Sequence, residues 1–572
     1  MNVTNWSQRA LEATGRARRE VALALRLCTH RFFNARLNGY MQREPGIRAL
    51  EDHEGAFDFI VIGGGATGLG VAIEAASRGY DTLLLEMHDF AKATSSRSTK
   101  LVHGGVRYLQ QGNVSLVLEA LKERGLLQEN APHLVSNLAF VVPNYDWWEG
   151  PFYGIGMKVY DMLAGRQNFG RSKHLSHEET LKHLPTIEPK GLRGGVIYYD
   201  GQFDDARLAV NMAQTVVEQG GIALNYVKVT DLVKNDEGVV SGVVAKDQEN
   251  GKEYTLDAKA VINATGIFTD SIRKMDDPEA RDTLRPSQGV HIVLDKSFLP
   301  GDSAIMVPKT DDGRVLFAIP WLDRVVVGTT DTEINGPAME PVPMQEELDF
   351  LIEHAGRYLV KDPTPDDVLS AFAGVRPLVT RPDAPAGDTS EISREHVLHI
   401  SKNGLVTISG GKWTTYRKMA EDTIDQAATL ANVDERPSVT KHLHIHGWHE
   451  NPEQFEDLSR YGSDAPGLRG LMRDRPDLAE HMDDRLPIRK AQVVWGTRHE
   501  MARQVEDILA RRTRSLLLNA KASVDIAPEV ARLMAEELGE GPEWIEEQVE
   551  SFNTLAKNYI LDPEKLEVKS AT

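Results

Sequence analysis

Residues 56–86 read AFDFIVIGGGATGLGVAIEAASRGYDTLLLE, and this stretch decides which fold the sequence predicts. An apolar run leads into Gly63, Gly65 and Gly68, which have G-x-G-x-x-G spacing. An Ala-rich helical stretch follows, and a second apolar run then ends at Glu86. A strand, a glycine turn, a helix and a second strand closed by an acid are typical of a βαβ unit that binds a dinucleotide.

Each of these residues has a physical role in such a site. Gly63 permits a sharp turn, and Gly65 lets the backbone approach a pyrophosphate. Gly68 allows the helix to pack closely against the strand, while Glu86 is placed to accept hydrogen bonds from ribose hydroxyls. The first amides of the helix face the phosphates with the positive end of its dipole. An ordinary tight turn is the alternative, but the flanking strands and the terminal acid favour the nucleotide site.

Composition limits the classes of function that remain. The chain has 572 residues, enough for two or three domains, with 41% hydrophobic and 26% charged residues, as in a globular protein. The single cysteine, Cys28, excludes an internal disulfide and cysteine-ligated metal clusters, so electron transfer requires a bound cofactor. A formal net charge of −20 argues against general nucleic-acid binding and means that an anionic substrate needs local arginines and lysines.

The first 40 residues are unlike the rest because they are rich in arginine and poor in acids. The two acids are Glu12 and Glu20, and the seven arginines are Arg9, Arg16, Arg18, Arg19, Arg26, Arg31 and Arg36. This segment has the character of an amphipathic helix on an anionic membrane, or of an organellar transit peptide. A solvated helix that packs on its own domain is an equally good interpretation. No apolar run reaches the roughly 18 residues that span a bilayer.

A second glycine motif, Ser409-Gly410-Gly411-Lys412, follows a predicted strand and precedes a helix that starts near Thr414. Such a helix N-terminus stabilises negative charge on a bound ring. The alternative is that the two glycines only form a tight turn. With AVINATG at 260–266, whose small residues allow close approach, the pattern predicts cofactor-facing segments at 63–68, 94–100, 263–266 and 409–415.

Several motifs together make the chain resemble a known family. They are ATSSRSTKLVHGGVRYL (93–109), FDDARL (203–208), INATG (262–266), QGVHIVL (288–294), IPW with VGTTDTE (319–333), AGVRPL (373–378) and SGGKWTTYRKMAEDTI (409–424). In this order they resemble the flavin-dependent glycerol-3-phosphate dehydrogenases of the D-amino-acid-oxidase-like group. The match runs from about residue 56 to 425, and the helical tail resembles the C-terminal cap domain of that family.

The resemblance implies an α/β protein with a Rossmann-like FAD-binding domain, a mixed or antiparallel-sheet substrate domain and an all-helical C-terminal cap domain. The expected boundaries are an Arg-rich extension at 1–55, a discontinuous FAD-binding domain at 56–110, 200–285 and 370–430, a substrate domain at 111–199 and 286–369, and a cap at 431–572. It also implies oxidation of sn-glycerol 3-phosphate to dihydroxyacetone phosphate, with FAD taking a hydride and a quinone reoxidising it.

Site residues are carried over by their matching positions. The substrate pocket is expected to contain Arg107, Tyr108, Arg376, Arg394 and Lys412, because a phosphate favours guanidinium and ammonium partners. The FAD site is expected to contain Gly63, Gly65, Gly68, Glu86, Thr94, Ser95, Ser96, Ser98, Lys100, Gly266, Gly411, Lys412 and Thr415. Surface cations that keep an acidic protein soluble are the alternative for any single Arg or Lys.

Removal of the hydroxyl proton from the substrate requires a base, and a histidine suits neutral pH. His103 in HGGVRY is the first candidate and His291 in GVHIV is the second, although a lone histidine is often a core residue. Arg376 is also expected to stabilise the developing alkoxide. The sequence leaves the choice of base open.

Two further features are interpreted as structural. His442, His444, His446 and His449 alternate, but no nearby acid or cysteine cluster completes a zinc site, so a linker or strand is favoured and no metal is expected. Trp147 and Trp148, with Phe152 and Tyr153, are either core or a membrane- or quinone-facing patch. Core packing is favoured.

Three functional hypotheses remain. The first is a quinone-linked dehydrogenase, peripherally bound to the inner cell membrane, or to the mitochondrial inner membrane in a eukaryote. The second is an oxidase that passes the electrons to oxygen and releases hydrogen peroxide. The third is a flavin-containing binding module without turnover. The Arg-rich start and the long cap favour the first, and a homodimer is one expectation for its assembly.

Overall fold

The computed structural model of the chain describes residues 41–105, 113–146, 149–308, 310, 313–380 and 396–562. The expectations for the Arg-rich start and for Trp147 and Trp148 lie outside these residues. The core packing favoured for Phe152 is wrong, since this side chain is 54% exposed. Within them, the strands form an eight-stranded sheet, a ten-stranded sheet and a two-stranded hairpin. The helices cover the two large sheets and form most of the C-terminal region.

The strands are given first, in chain order. They are β1 (Phe57–Ile62), β2 (Thr82–Leu85), β3 (Leu101–Val102), β4 (Val135–Asn144), β5 (Lys173–Ser176), β6 (Gly194–Phe203), β7 (Ile222–Leu224), β8 (Val227–Lys234), β9 (Val240–Asp247), β10 (Glu253–Asn263), β11 (Leu284–Asp295), β12 (Ser303–Val307), β13 (Leu316–Trp321), β14 (Arg324–Gly328), β15 (Thr332–Glu333), β16 (Val368–Val379), β17 (His396–Ile400), β18 (Val406–Gly410), β19 (His481–Asp483) and β20 (Leu486–Arg489).

The α-helices follow in the same order. They are α1 (Arg43–Glu51), α2 (Ala66–Ser77), α3 (Val114–Asn130), α4 (Glu149–Ala164), α5 (His177–His183), α6 (Asp205–Glu218), α7 (Thr269–Asp276), α8 (Gln345–Gly356), α9 (Tyr416–Leu430), α10 (Ala465–Asp474), α11 (Lys490–His499), α12 (Ser515–Leu518), α13 (Ala520–Leu538) and α14 (Pro542–Ala556).

The eight-stranded sheet is the predicted Rossmann-like sheet. Its main order is β17-β18-β10-β1-β2-β7, and the pairs from β18 to β7 are parallel. The strands β8 and β9 extend β10 as an antiparallel meander. Parallel strands are covered on both faces, which explains why β1 and β2 are almost continuously apolar and buried. The helices α2, α6 and α9 pack together over this sheet.

The ten-stranded sheet is the predicted mixed sheet. Its main order is β15-β11-β14-β13-β12-β4-β6-β3, with β16 paired to β11 and β5 paired to β6. All of its pairs are antiparallel except β4 with β12. Strand β16 belongs to this sheet, so the part of the expected segment 370–430 that joins the Rossmann-like sheet begins at β17.

Residues 143–156 contain proline and glycine, yet α4 begins within this segment at Glu149. The Glu149 carboxylate accepts hydrogen bonds from the amides of Tyr145 and Asp146, at 2.8 and 2.9 Å, which organises the chain at the start of the helix. Met157 and Tyr160 are buried on its inner side. Tertiary packing therefore outweighs the low helix propensity of the proline and glycines in this segment.

The C-terminal region is helical, as predicted, with the hairpin of β19 and β20 as an addition. The Asp483 carboxylate accepts a hydrogen bond from the amide of Arg485, at 2.8 Å, which stabilises the turn between these strands. The polar stretch 432–467 contains a run of 3-10 turns at Pro452–Asp464. In the described part of the chain, no helix combines the length and the apolar character needed to cross a membrane.

Candidate functional site

A cavity of about 810 Å³ lies where the two large sheets meet. Residues that follow β1, β2, β10 and β18 line it, so it is found at the carboxyl ends of the parallel strands. The other wall is formed by the ten-stranded sheet and includes Tyr198, His291 and Phe317. A crevice beyond the carboxyl ends of parallel strands is where open α/β sheets bind ligands.

The first glycine turn forms one part of the wall. Gly63 has a φ of +107°, and a Cβ there would lie 2.8 Å from the carbonyl oxygen of Ala264. A Cβ at Gly68 would overlap the carbonyl oxygen of Gly63, so only glycine lets α2 pack this closely. Gly63 and Gly65 line the cavity, whereas Gly68 lies behind it. The turn therefore leaves space where any side chain would intrude.

Glu86 also lines the cavity, at the end of β2. Its carboxylate accepts hydrogen bonds from the amides of Gly64, at 2.6 Å, and His88, at 2.8 Å. Burial raises the pKa of Glu86, and these two amide donors act against that rise. The acid is thus held next to the glycine turn, in the position expected for a ribose partner.

Residues 94–100, the cofactor loop, contribute Thr94, Ser95 and Ser98 to the wall. Ser96 and Lys100, which were also expected at the FAD site, are not on it. The Lys100 side chain is fully buried and makes an ion pair of 2.6 Å with Asp205. Burial lowers the pKa of Lys100 to about 7, although Asp205 acts in the opposite direction. The backbone at Lys100 has a φ of +63°, and its Nζ donates to Asp205 and to the carbonyl of Ser96 behind the cavity wall.

The remaining predicted segments also reach the cavity. Gly266, Gly411 and Lys412 are on the wall, and Gly411 has a φ of +72°. Thr415 is buried, and its hydroxyl donates to the carbonyl of Lys412 at 3.3 Å, so it supports the turn without lining the cavity. The indole nitrogen of Trp413 donates to the carbonyl of Ser95 at 2.9 Å, which joins this turn to the cofactor loop.

His103 lies on the cavity wall. Burial lowers the pKa of His103 to about 4; Asp200 acts to raise it, and the positive charges of Lys412 and Arg124 add to the lowering. The imidazole is therefore neutral at physiological pH. A neutral imidazole on the wall of a cavity is able to accept a proton from a bound hydroxyl.

His291, the second candidate base, also lines the cavity but is nearly enclosed. A hydrogen bond of 2.9 Å joins its Nε2 to the hydroxyl of Thr99, and its ring stacks on Phe372 with centroids 4.8 Å apart. Burial lowers the pKa of His291 well below its usual value, and Lys100 and Arg376 lower it further. These contacts fix its ring orientation.

Arg376 is a candidate for the phosphate site. It lies on β16 of the ten-stranded sheet and within the described residues. It lines the cavity, and its guanidinium is about one-third exposed. It donates to the carboxylate of Asp331 and to the carbonyl of Thr330, both at 3.1 Å. A Cβ at Gly289 would lie 2.6 Å from the guanidinium, so that glycine provides the space that Arg376 occupies. Arg107, Tyr108 and Arg394 lie outside the described residues.

Sequence reasoning did not identify Asp200, a buried acid on the cavity wall. Arg124 and the phenol of Tyr160 each donate to its carboxylate at 2.7 Å. Both partners come from helices distant in sequence, so no local motif marks this acid. Apolar and sulfur-containing wall residues were also missed, because Phe140, Met306 and Phe317 look like ordinary strand residues.

Of the two expectations for the alternating histidines, a linker or a strand, the structure shows the first, since residues 440–442 are a 3-10 turn and the rest is irregular. His446 lies between two carboxylates, with Nδ1 at 2.7 Å from Glu218 and Nε2 at 2.9 Å from Asp464. The ring of His444 stacks on Trp448 at 3.9 Å. Among the described residues, no group of three or more His, Cys, Asp or Glu side chains is placed to hold a metal ion.

These features fit FAD. The space beside Gly63 and Gly65 accommodates a pyrophosphate at the N-terminus of α2, and Glu86 is placed for a ribose. The open space above Gly266, where a Cβ would meet nothing within 4 Å, and the turn before α9 accommodate a flat ring. A cavity of about 810 Å³ is within the range of cofactor sites.

Comparisons with known proteins agree with this assignment. Residues 58–417 match the family model described as FAD dependent oxidoreductase. Residues 406–548 match the model described as C-terminal domain of alpha-glycerophosphate oxidase. The first match covers more than half of the chain.

Named relatives are similar over most of their length. The mitochondrial glycerol-3-phosphate dehydrogenase of Macaca fascicularis is 40% identical over 549 residues, which is 89% of this chain and 75% of that protein. The corresponding protein of Schizosaccharomyces pombe is 36% identical over 582 residues, covering 91% and 89% respectively. The glycerol-3-phosphate dehydrogenase of Bacillus halodurans, solved in complex with FAD, has a TM-score of 0.72 at 32% identity and covers 91% of this chain and 98% of that chain.

Two glycine turns line one cavity, and the family model and the relatives, matched over 75% or more of their own length, lead to the same conclusion. This chain belongs to the FAD-dependent glycerol-3-phosphate dehydrogenases, a family within the FAD-dependent oxidoreductases.

Proposed function

We propose that this protein oxidises sn-glycerol 3-phosphate to dihydroxyacetone phosphate, with FAD as its resident cofactor. The observation that carries the proposal is that one cavity contains both the nucleotide-binding glycine turn and the set His103, Arg376 and Lys412. Relatives at about 40% identity carry the name glycerol-3-phosphate dehydrogenase, which supports the substrate assignment.

Residues of the first turn and the cofactor loop are proposed to hold FAD. Gly63 and Gly65 give the pyrophosphate access to the backbone, and Glu86 accepts hydrogen bonds from the ribose. Bound FAD supplies the acceptor for the hydride that leaves the substrate carbon. The amides at the N-terminus of α9 and the ammonium of Lys412 favour negative charge on the ring.

Lys412 and Arg376 are proposed to bind the substrate phosphate. The net charge of −20 repels a phosphate at long range, so its binding depends on cations that face the cavity. An arginine binds two phosphate oxygens at once and a lysine acts as a point charge, and both form charge-assisted hydrogen bonds. Arg107 and Arg394 are proposed for the same role from the family resemblance alone.

His103 is the proposed base. It is neutral, it faces the cavity, and it lies within the electrostatic influence of Lys412. Proton transfer from the substrate hydroxyl to His103 would accompany hydride departure from the same carbon. Arg376 is proposed to stabilise the oxygen while negative charge develops on it. His291 is the alternative base. Its contacts with Thr99 and Phe372 hold its imidazole in one orientation, which is compatible with a base or with a structural role.

A quinone in the membrane is the proposed electron acceptor. The support comes from an apolar face on the outside of α4, where Phe152, Ile155 and Met162 are 54%, 67% and 72% exposed. Val114 and Leu118 of α3 are exposed too, at 41% and 45%. Lys158 of α4 is also exposed, and its positive charge suits an anionic lipid surface. An exposed apolar helix face is a feature of proteins that lie on membranes.

Peripheral attachment to the membrane that contains the quinone follows from this proposal. The membrane is the mitochondrial inner membrane in a eukaryote and the cytoplasmic membrane in a bacterium. Oxygen is the alternative acceptor, and the C-terminal match to alpha-glycerophosphate oxidase keeps this alternative open.

Two measurements test the acceptor and the attachment. Glycerol 3-phosphate with a soluble quinone analogue is expected to give fast quinone reduction and little hydrogen peroxide under air; the reverse ratio identifies an oxidase. Sedimentation with anionic vesicles is expected to weaken in the double variant Phe152→Ser, Ile155→Ser. The matched control is Val360→Ser, which removes another 61% exposed apolar side chain. Equal sedimentation of all three proteins would remove α4 from the membrane contact.

A further inference from the structure

Arg514 belongs to the C-terminal region, yet its side chain reaches the cofactor loop. It immediately precedes α12, is fully buried, and has a left-handed backbone with a φ of +67°. That conformation is uncommon for a residue with a side chain and persists where surrounding contacts determine it. The contacts that surround Arg514 are made mainly by its guanidinium.

The guanidinium of Arg514 makes three hydrogen bonds. Its Nη2 donates to the carbonyl oxygen of Ser96 and to the carboxylate of Asp205, both at 2.8 Å. The other nitrogen, Nη1, donates to the carbonyl of Ala510 at 2.9 Å. Arg514 therefore joins its own segment to the cofactor loop and to the start of α6.

Asp205 transmits this contact to the cavity wall. Its Oδ2 accepts hydrogen bonds from the amide of Ser98, at 3.0 Å, and from the hydroxyl of Ser98, at 2.7 Å. Ser98 lines the cavity, while Asp205 is fully buried behind it. The position of Ser98 is thus set by a carboxylate whose other oxygen is held by Arg514.

The cofactor loop also contacts the two glycine turns, at 63–68 and 409–415. The amide of Ala66, at the start of α2, donates to the hydroxyl of Ser95 at 3.0 Å. The indole of Trp413 donates to the carbonyl of Ser95 at 2.9 Å. A shift of Ser96 and Ser98 would therefore disturb both glycine turns, since all three segments meet at Ser95.

Lys100 does not replace Arg514 in this arrangement. Its Nζ donates to the same two acceptors, the carbonyl of Ser96 at 2.8 Å and the carboxylate of Asp205 at 2.6 Å. Because Lys100 is itself part of the cofactor loop, it links that loop only to α6. Arg514 alone among these two cations links the loop to the C-terminal region, and it does so where water is excluded.

We propose that Arg514 is a positioning residue for the cofactor site, which holds Ser96 and Ser98 of the cofactor loop in place from the C-terminal region. Retention of FAD then depends on docking of a C-terminal region whose described residues do not line the cavity. The inference rests on FAD being the cofactor of this cavity. It predicts that cofactor affinity, and not only stability, falls when the guanidinium is removed.

The test compares full-length Arg514→Met and Arg514→Lys with the wild type. Apoprotein is titrated with FAD, flavin fluorescence gives Kd, and melting temperatures are recorded without FAD. Kd is expected to rise at least about 10-fold in Arg514→Met and less in Arg514→Lys, which keeps the charge and fewer contacts. Where Arg514→Met does not fold, Arg514→Lys and Ser98→Ala supply the same comparison.

The matched control is Arg78→Met. Arg78 is also buried, pairs with Glu74 and Asp425, and donates to the carbonyl of Arg436, but these partners lie outside the cofactor loop. Its loss is expected to lower the melting temperature without changing Kd for FAD. Unchanged Kd in the Arg514 variants, despite equal loss of stability, would overturn the inference. A wild type that binds no FAD would instead overturn the proposed function.

Discussion

The phenol oxygen of Tyr160 accepts a hydrogen bond from the backbone amide of Gly104 at 2.9 Å. Tyr160 is buried on the inner side of α4, and Gly104 follows His103 in the chain. The same phenol donates to Asp200 at 2.7 Å, and Asp200 acts to raise the pKa of His103. One side chain therefore connects the backbone of this turn to the acid beside it.

Tyr160→Phe is expected to lower kcat/KM for glycerol 3-phosphate about 10-fold. The variant leaves the buried amide of Gly104 without its acceptor, which costs roughly 1–3 kcal/mol and allows the turn to move. FAD content should not change, because Tyr160 is not part of the glycine turns at 63–68 and 409–415. Steady-state kinetics check this, with Tyr80→Phe as the control, since that phenol bonds the carbonyl of Asp434 instead. Full activity in Tyr160→Phe would show that the contact does not position His103.

Removing the cations on the wall is expected to weaken substrate binding. Arg376→Ala and Lys412→Ala should each raise KM about 30- to 100-fold, as expected for loss of a charge-assisted contact worth about 2–3 kcal/mol. Lys402→Ala removes a cation that is 75% exposed and off this cavity, and its kinetics should match the wild type. Normal KM values in both wall variants would exclude them from the phosphate site.

The base is tested by His103→Asn, which is expected to lower kcat by about 10² to 10⁴ while FAD remains bound. The pKa of His103 is about 4, so the histidine accepts protons above that pH, and its contribution to kcat/KM is lost as the pH falls through about 4. The substrate phosphate titrates near pH 6. A change in kcat/KM near pH 6, caused by the substrate phosphate, should therefore appear in both the wild type and His103→Asn. A comparable loss of kcat in His291→Asn alone would transfer the role to His291.

His446 gives a stability prediction that depends on pH. Burial lowers the pKa of His446, but Asp464 and Glu218 outweigh it and raise the pKa to about 10. The protonated ring therefore stabilises the fold fully below about pH 6.5, and this contribution is lost as the pH rises through about 10. His446→Gln should cost on the order of 3 kcal/mol at pH 6 and much less near pH 10.5.

Denaturant or thermal unfolding across that pH range checks this expectation. His481→Gln, at an exposed position in the hairpin, is the control. A destabilisation by His446→Gln that does not vary between pH 6 and pH 10.5 would show that the ring is neutral in the folded protein.

The sequence predicted the parts of the fold that depend on local patterns. Residues 56–86 form the expected strand, turn, helix and strand, because glycine spacing and apolar runs act over short distances. The second glycine turn reaches the same cavity because parallel strands place their carboxyl ends together. The first of these features depends on neighbouring residues, and the second follows from the general geometry of parallel sheets.

Features that depend on distant partners were missed. Lys100 was expected at the FAD site, but its side chain turns towards Asp205, a residue 105 positions away. Asp200 was not recognised because Arg124 and Tyr160, which hold it, lie in helices that no motif connects to it. Local propensity does not predict α4 either, because its glycines and proline disfavour a helix, whereas its buried face decides the outcome.

The central claim is that one cavity holds FAD next to a site for glycerol 3-phosphate. The direct test is the visible spectrum of the purified protein under anaerobic conditions. Flavin absorption is predicted to be present and to be bleached by glycerol 3-phosphate, while glycerol, which lacks the phosphate, leaves it unchanged at the same concentration. A protein without flavin absorption, or a bound flavin whose spectrum glycerol 3-phosphate does not alter, would contradict the account.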